Sequence, residues 1–168
     1  RPRPSPRPRP RSAVARKSRS VLRYRILWVG RRAQDPLVAA AQDYVERITH
    51  YAKIELITLR EGSLADEGRA MLAKLDDCGE LVALDVRGKA VSTEELAQLV
   101  SRWERETDGR VTLVVGGADG LHPDVLARAR VRLSLSKLTL PHRLALVVLT
   151  EQLYRAHTIL RREPYHRA

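Results

Sequence analysis

Apolar residues along the chain come in two alternating rhythms. Ile26-Leu27-Trp28-Val29 is a continuous apolar run closed by Gly30, the pattern of a strand buried on both faces. Asp35-Pro36 then supplies an N-cap and a proline for the first helical turn, and Leu37, Val38, Ala41, Tyr44, Val45 and Ile48 follow at helical spacing. Residues 54–59 alternate as a strand, and Leu64, Met71, Leu72 and Leu75 mark a second helix over 64–75. A third strand is predicted over 81–86. After it, Ser92-Thr93-Glu94-Glu95 forms a capping box for a helix showing Leu96, Leu99, Val100 and Trp103. Residues 111–115 read as another buried strand stopped by Gly116-Gly117, with a short helix from Pro123, a short strand over 132–135 and a long apolar helix over 144–159. Strand and helix alternate throughout, which predicts an α/β fold with a mostly parallel sheet.

The first 23 residues break this rhythm. RPRPSPRPRPR alternates proline with arginine, so backbone donors are missing at every second position and like charges repel. An extended, disordered basic arm over 1–23 and one domain over 24–168 are expected. The arm suits RNA phosphates, or else is simply a solvated tail. No apolar h-region follows it, so it does not read as a secretory signal, and the Arg at position 1 places the true start elsewhere.

Net charge is +11, but its distribution matters more than its size. Residues 1–25 carry 10 Arg/Lys and no acid; 26–127 carry 12 basic and 18 acidic; 128–168 carry 9 basic and 2 acidic. Beyond the arm the chain is nearly neutral, so basicity alone does not decide a nucleic-acid function. No apolar run approaches the roughly 20 residues that span a bilayer. The single cysteine, Cys78, excludes an internal disulfide framework and points to a reducing, cytoplasmic setting. His50, His122, His142, His157 and His166 show no ligand spacing among themselves or with Cys78, so no metal is expected.

In an open α/β sheet, ligands bind beyond the carboxyl ends of the strands. Three segments there stand out: 84–89 (LDVRGK), 116–120 (GGADG) and 135–142 (LSKLTLPH). The glycines at 116, 117 and 120 do not fit G-x-G-x-x-G, which disfavours a nicotinamide oxidoreductase, and no phosphate-loop lysine motif or G-x-S-x-G elbow occurs. Such a glycine loop serves either as a strand-to-helix turn or as a place where a ligand meets backbone. The 135–142 segment can wall an adenine with apolar side chains while its backbone reads the ring edge, or act as a packing linker. A polar group, Glu151, Gln152, Tyr154 and Arg155, precedes Pro164-Tyr165-His166-Arg167 at the end of the chain.

Together, LDVRGK at 84–89, VVGGADGLH at 114–122, SLSKLTLPH at 134–142, EQLYRA at 151–156 and EPYHR at 163–167 resemble the SPOUT-class methyltransferases that modify N3 of a pseudouridine in 23S ribosomal RNA. The resemblance covers residues 24–168 and does not extend to the arm. It implies a deep trefoil knot, an S-adenosylmethionine cofactor, a homodimer with sites at the subunit interface, and action on the assembled ribosome. Carried over, the family's cofactor contacts fall on Leu84, Gly116, Leu135, Ser136, Lys137, Leu138, Thr139 and Leu140. The catalytic group falls on Arg155, Tyr165, His166 and Arg167. Imide N3 is a poor nucleophile until its proton leaves, so a histidine base, a tyrosine to stack or donate, and arginines to steady the developing charge fit that chemistry. A non-catalytic RNA-binding or ribosome-assembly protein on the same fold is the alternative; it would bind RNA without the cofactor.

Overall fold

The computed structural model describes residues 21–31, 34–106 and 108–167. Ten elements alternate: β1 (Arg23–Gly30), α1 (Pro36–Ile48), β2 (Lys53–Arg60), α2 (Leu64–Leu72), β3 (Glu80–Ala90), α3 (Thr93–Glu106), β4 (Arg110–Val115), α4 (Pro123–Arg128), β5 (Val131–Ser134) and α5 (His142–Leu160). The five strands form one sheet in the order β2-β1-β4-β3-β5, every pair parallel. The α/β expectation therefore holds, with a wholly parallel sheet.

Helices cover both faces, which is why the central strands read as unbroken apolar runs. In β1, Tyr24, Ile26 and Trp28 join a core with Ile48 of α1, Trp103 of α3 and Leu146, Leu149 and Leu153 of α5. Leu27 and Val29 point the opposite way, into a smaller core with Met71 of α2 and Val125 of α4. The caps read from the sequence are present. Asp35 Oδ1 accepts from the Leu37 amide at 2.8 Å, while Ser92 and Glu95 exchange reciprocal bonds at 3.1 and 2.8 Å, each such cap being worth about 1 kcal/mol.

Beyond shifts of one or two residues at element ends, three departures from expectation bear on packing. Helix α2 stops at Leu72; Leu75 lies in the following turn yet stays buried, so a core position was read as a helical one. Leu22 and Arg23, assigned to the arm, are part of the folded unit: Leu22 is 2% exposed, its carbonyl accepts from the Lys53 amide at 2.9 Å, and Arg23 opens β1. Val21 is exposed, and the remainder of the arm, residues 1–20, lies outside the described residues. Strand β3 also runs on to Ala90, because Leu133 of β5 pairs with Leu84 and again with Lys89, leaving residues 85–88 as an excursion between two pairings. Gly88 permits it: a Cβ there would sit 2.7 Å from the backbone of Arg132 and Leu133.

Candidate active site

A cleft of about 790 Å³ opens at the carboxyl ends of β3, β4 and β5. Its walls are the three loops selected by the strand-end argument. Leu84, Gly116, Leu135, Ser136, Leu138, Thr139 and Leu140 all line it; Lys137 is exposed and is not part of the lining. The 135–140 segment is held locally, with Ser134 Oγ donating to the Ser136 carbonyl at 2.8 Å and the Leu138 amide donating to Ser136 Oγ at 2.9 Å. That fixed path leaves Leu138 75% exposed, a large apolar side chain standing free in a cleft wall.

Gly116 meets the turn requirement, one of the two alternatives the sequence left open, while also lining the cleft. A Cβ there would lie 2.2 Å from the Gly120 carbonyl oxygen, so the glycine lets the loop close on itself. The turn is completed by the Gly120 amide bonding to the Gly117 carbonyl at 3.1 Å, with Gly120 at φ +78.

Three lining side chains were not singled out from sequence as cleft residues. Asp85 and Asp119 add negative charge beside the cation Arg87, and His142 begins α5 at the cleft's edge. His142 Nε2 is buried without a hydrogen-bond partner, 3.7 Å from Glu61 Oε1. The strand-end argument chose the segments that hold positions 85, 119 and 142, but carboxylates in loops carry no periodic signal that would pick them out individually.

The chain's end forms a second cluster around Glu151. Arg155 donates to Glu151 Oε1 through Nε at 2.9 Å and Nη2 at 2.6 Å, and Tyr165 donates to the same oxygen at 3.1 Å. The Arg155 guanidinium lies over the Tyr165 ring, 4.7 Å from its centre. Burial, then hydrogen bonding with Tyr44, then the Glu151 charge, raise the Tyr165 phenol well above its ordinary pKa, so it is a donor and not a base. The Glu151 hydrogen bond likewise raises Arg155, which stays charged.

His166 closes the cluster. Arg155 Nη1, which can only donate, approaches its Nδ1 at 3.5 Å; the proton of the neutral ring then belongs on Nε2, facing Glu94 Oε1 at 3.3 Å. Glu94 was legible only as part of a capping box, and nothing in the sequence links it to a residue 72 positions later. Arg167 is exposed and makes no contact with the cluster among the described residues.

Cleft and cluster do not meet within one chain. Neither Arg155, Tyr165 nor His166 lines the cleft, and at 1.5 Å per residue Arg155 stands about 20 Å along α5 from His142. Three of the four predicted catalytic residues are thus brought together, but away from the predicted cofactor residues. Among the described residues no group of three or more His, Cys, Asp or Glu side chains is placed to hold a metal, and no helix is long and apolar enough to cross a membrane.

Residues 22–166 match the family described as "Predicted SPOUT methyltransferase". The chain belongs to the SPOUT methyltransferase family. Relatives named "Ribosomal RNA large subunit methyltransferase H" align with it over their whole length. The one from Anaeromyxobacter dehalogenans (strain 2CP-C) is 44% identical over 155 residues, covering 87% of this chain and 100% of the relative. The one from Alkalilimnicola ehrlichii is 46% identical over 158 residues, covering 88% and 100%. Among solved structures, a probable methylase family protein from Haemophilus influenzae Rd KW20 superposes with a TM-score of 0.50 at 15% identity, over 83% of this chain and 66% of that one, a likeness of fold. This SPOUT methyltransferase therefore pairs a strand-end cleft with a separate C-terminal cluster.

Proposed function

We propose that the chain is an S-adenosylmethionine-dependent methyltransferase that methylates N3 of a pseudouridine in 23S ribosomal RNA on the assembled ribosome, working in the cytoplasm as a homodimer. The observation that carries this reading is the full-length similarity to relatives named as large-subunit ribosomal RNA methyltransferases. The cleft fits the cofactor. Its volume is in the range of small-molecule sites, its apolar wall at Leu135, Leu138 and Leu140 suits an adenine, and Asp85, Asp119 and Arg87 suit a ligand bearing both signs of charge. The three loops at 84–89, 116–120 and 135–142 are where the family's trefoil knot would lie.

When bound, S-adenosylmethionine supplies an electrophilic methyl group. The chain's own residues must then orient the base and take its N3 proton. His166 is the base in this reading: its Nδ1 has only the long Arg155 approach to displace, while Glu94 steadies the positive charge that forms on the ring. Arg155, permanently charged and oriented by Glu151, faces the negative charge that N3 and its flanking carbonyls develop. Tyr165, held as a phenol, stacks on or donates to the base, and Arg167 is free to hold a phosphate. Because the tail cannot reach its own cleft, it serves the cleft of a second copy.

The test is calorimetric titration with S-adenosylmethionine, followed by transfer of labelled methyl to ribosomes lacking the modification and mapping of the label. Binding, transfer and a label on N3 of one pseudouridine are expected. RNA binding without cofactor affinity would favour the non-catalytic alternative.

A further inference from the structure

Opposite the cofactor cleft, at the amino ends of the strands, the sheet carries a row of cations. Lys53, Arg23 and Arg110 are register partners across β2, β1 and β4. Side chains at matching positions of neighbouring strands leave the same face, with strands about 4.8 Å apart. Arg25 sits one step further in on that face, beside Glu55 and Thr112. Deeper still, Leu27 and Val114 enter the core beneath α2 and α4, so the row occupies the open end of that face. A cleft of about 300 Å³ lies there, floored by the sheet and bounded by Asp77 and Cys78 from the turn after α2.

Like charges placed side by side on adjacent strands destabilise a sheet. The row's own acids do little to relieve this. Arg110 pairs with Asp77, and Arg25 donates to the Lys74 carbonyl at 3.1 Å. Arg23 and Lys53 are exposed and have no carboxylate partner among the described residues. Residues 1–20, with eight Arg/Lys and no acid, lead into the row at Arg23. Arg23, Arg25, Lys53 and Arg110 thus outnumber Glu55 and Asp77, the acids lining the same cleft.

We infer that this row is a docking surface for the phosphodiester backbone of the ribosomal RNA, gripping a strand remote from the nucleotide being methylated. The inference rests on the proposed function and adds a second contact to it. Strand β1 spans about 25 Å between the row and the cleft end of the sheet, so the surface acts on binding and not on the chemical step. Phosphate neutralisation releases condensed counterions, which makes such a contact salt-dependent.

The experiment uses the full chain with Arg23→Gln and Lys53→Gln combined, both sites exposed. Methyl transfer to unmodified ribosomes is measured across a salt series, beside a control double variant, Arg105→Gln with Arg128→Gln, that removes the same charge elsewhere. The expected result is a KM raised about tenfold at low salt and a log–log salt slope smaller by about one to two, with kcat and S-adenosylmethionine affinity retained. The control keeps wild-type KM and slope. An unchanged KM and slope in the Arg23/Lys53 variant, or an equal shift in the control, overturns the inference while wild-type activity leaves the proposed function standing. Wild-type protein that neither binds nor methylates ribosomes removes both together.

Discussion

Glu151 and Arg155 are locked in a forked contact, two N–H groups of the guanidinium meeting one carboxylate oxygen, one helical turn apart on α5. Both side chains are mostly shielded, at 16% and 25% exposure, and the same oxygen holds Tyr165. The pair orients the whole C-terminal cluster. Glu151→Gln keeps the shape but weakens the charge-assisted bonds, a loss on the order of 1.5 kcal/mol at a partly screened site. Methyl transfer should fall about tenfold with cofactor affinity unchanged; steady-state kinetics and titration on the same sample check both.

His166→Ala should leave folding and S-adenosylmethionine binding intact while transfer falls by about 10² to 10⁴, the range for loss of a positioned acid-base group. The sharper form mixes subunits. Leu138→Arg places a cation in the cleft wall at an exposed position and should abolish cofactor binding without unfolding the chain. A verified heterodimer of His166→Ala with Leu138→Arg keeps one intact cleft facing one intact tail, and its activity should reappear. No recovery would mean that tail and cleft act within a single chain.

Gly116→Ala tests the loop. The new Cβ collides with the Gly120 carbonyl, so overpacking should cost about 1 to 3 kcal/mol and cofactor affinity should fall with it. Urea denaturation and titration should move together. A stable variant with unchanged affinity would show that the turn opens freely.

His157 sets the acid limit of stability. It is fully buried, stacked on Tyr51, with Arg161 Nη1 donating to Nδ1 at 3.2 Å and Nε2 facing the Tyr24 hydroxyl at 3.0 Å. Burial, and then the Arg161 charge, lower its pKa to about 4 from 6.5. The unfolded chain therefore takes up a proton that the folded chain refuses. Stability is complete above pH 6.5 and is lost as pH falls toward 4, by at most about 3 kcal/mol. Denaturation at pH 7 and pH 5 should show the loss, and His157→Gln should flatten it.

Removing residues 1–20 should leave the melting temperature unchanged. Removing 1–22 should cost about 2 kcal/mol, because Leu22 is buried. Thermal melts of the two truncations side by side decide where the folded unit begins.

Much of this was legible in local chemistry. Ile26 to Val29 is apolar on both faces because helices cover both faces, and Ser92 with Glu95 could hardly do anything but cap. What stayed hidden depends on distance along the chain. Lys89 and Ala90 became strand only because Leu133 and Ser134 return beside them, and Glu94 met His166 only because α3 and α5 pack together. Whether Gly116 serves a turn or a ligand was left open, because its close approach to Gly120 is a matter of loop closure that no spacing rule reveals.

The double pairing of Leu133 has a consequence for the edge of the sheet. Strand β5 pairs on both sides of the 85–88 excursion, so this four-residue edge, and the 135–140 wall that hangs from it, form only together with that excursion. A ligand that binds only the finished cleft therefore stabilises the edge of the sheet along with its own site, by mass action.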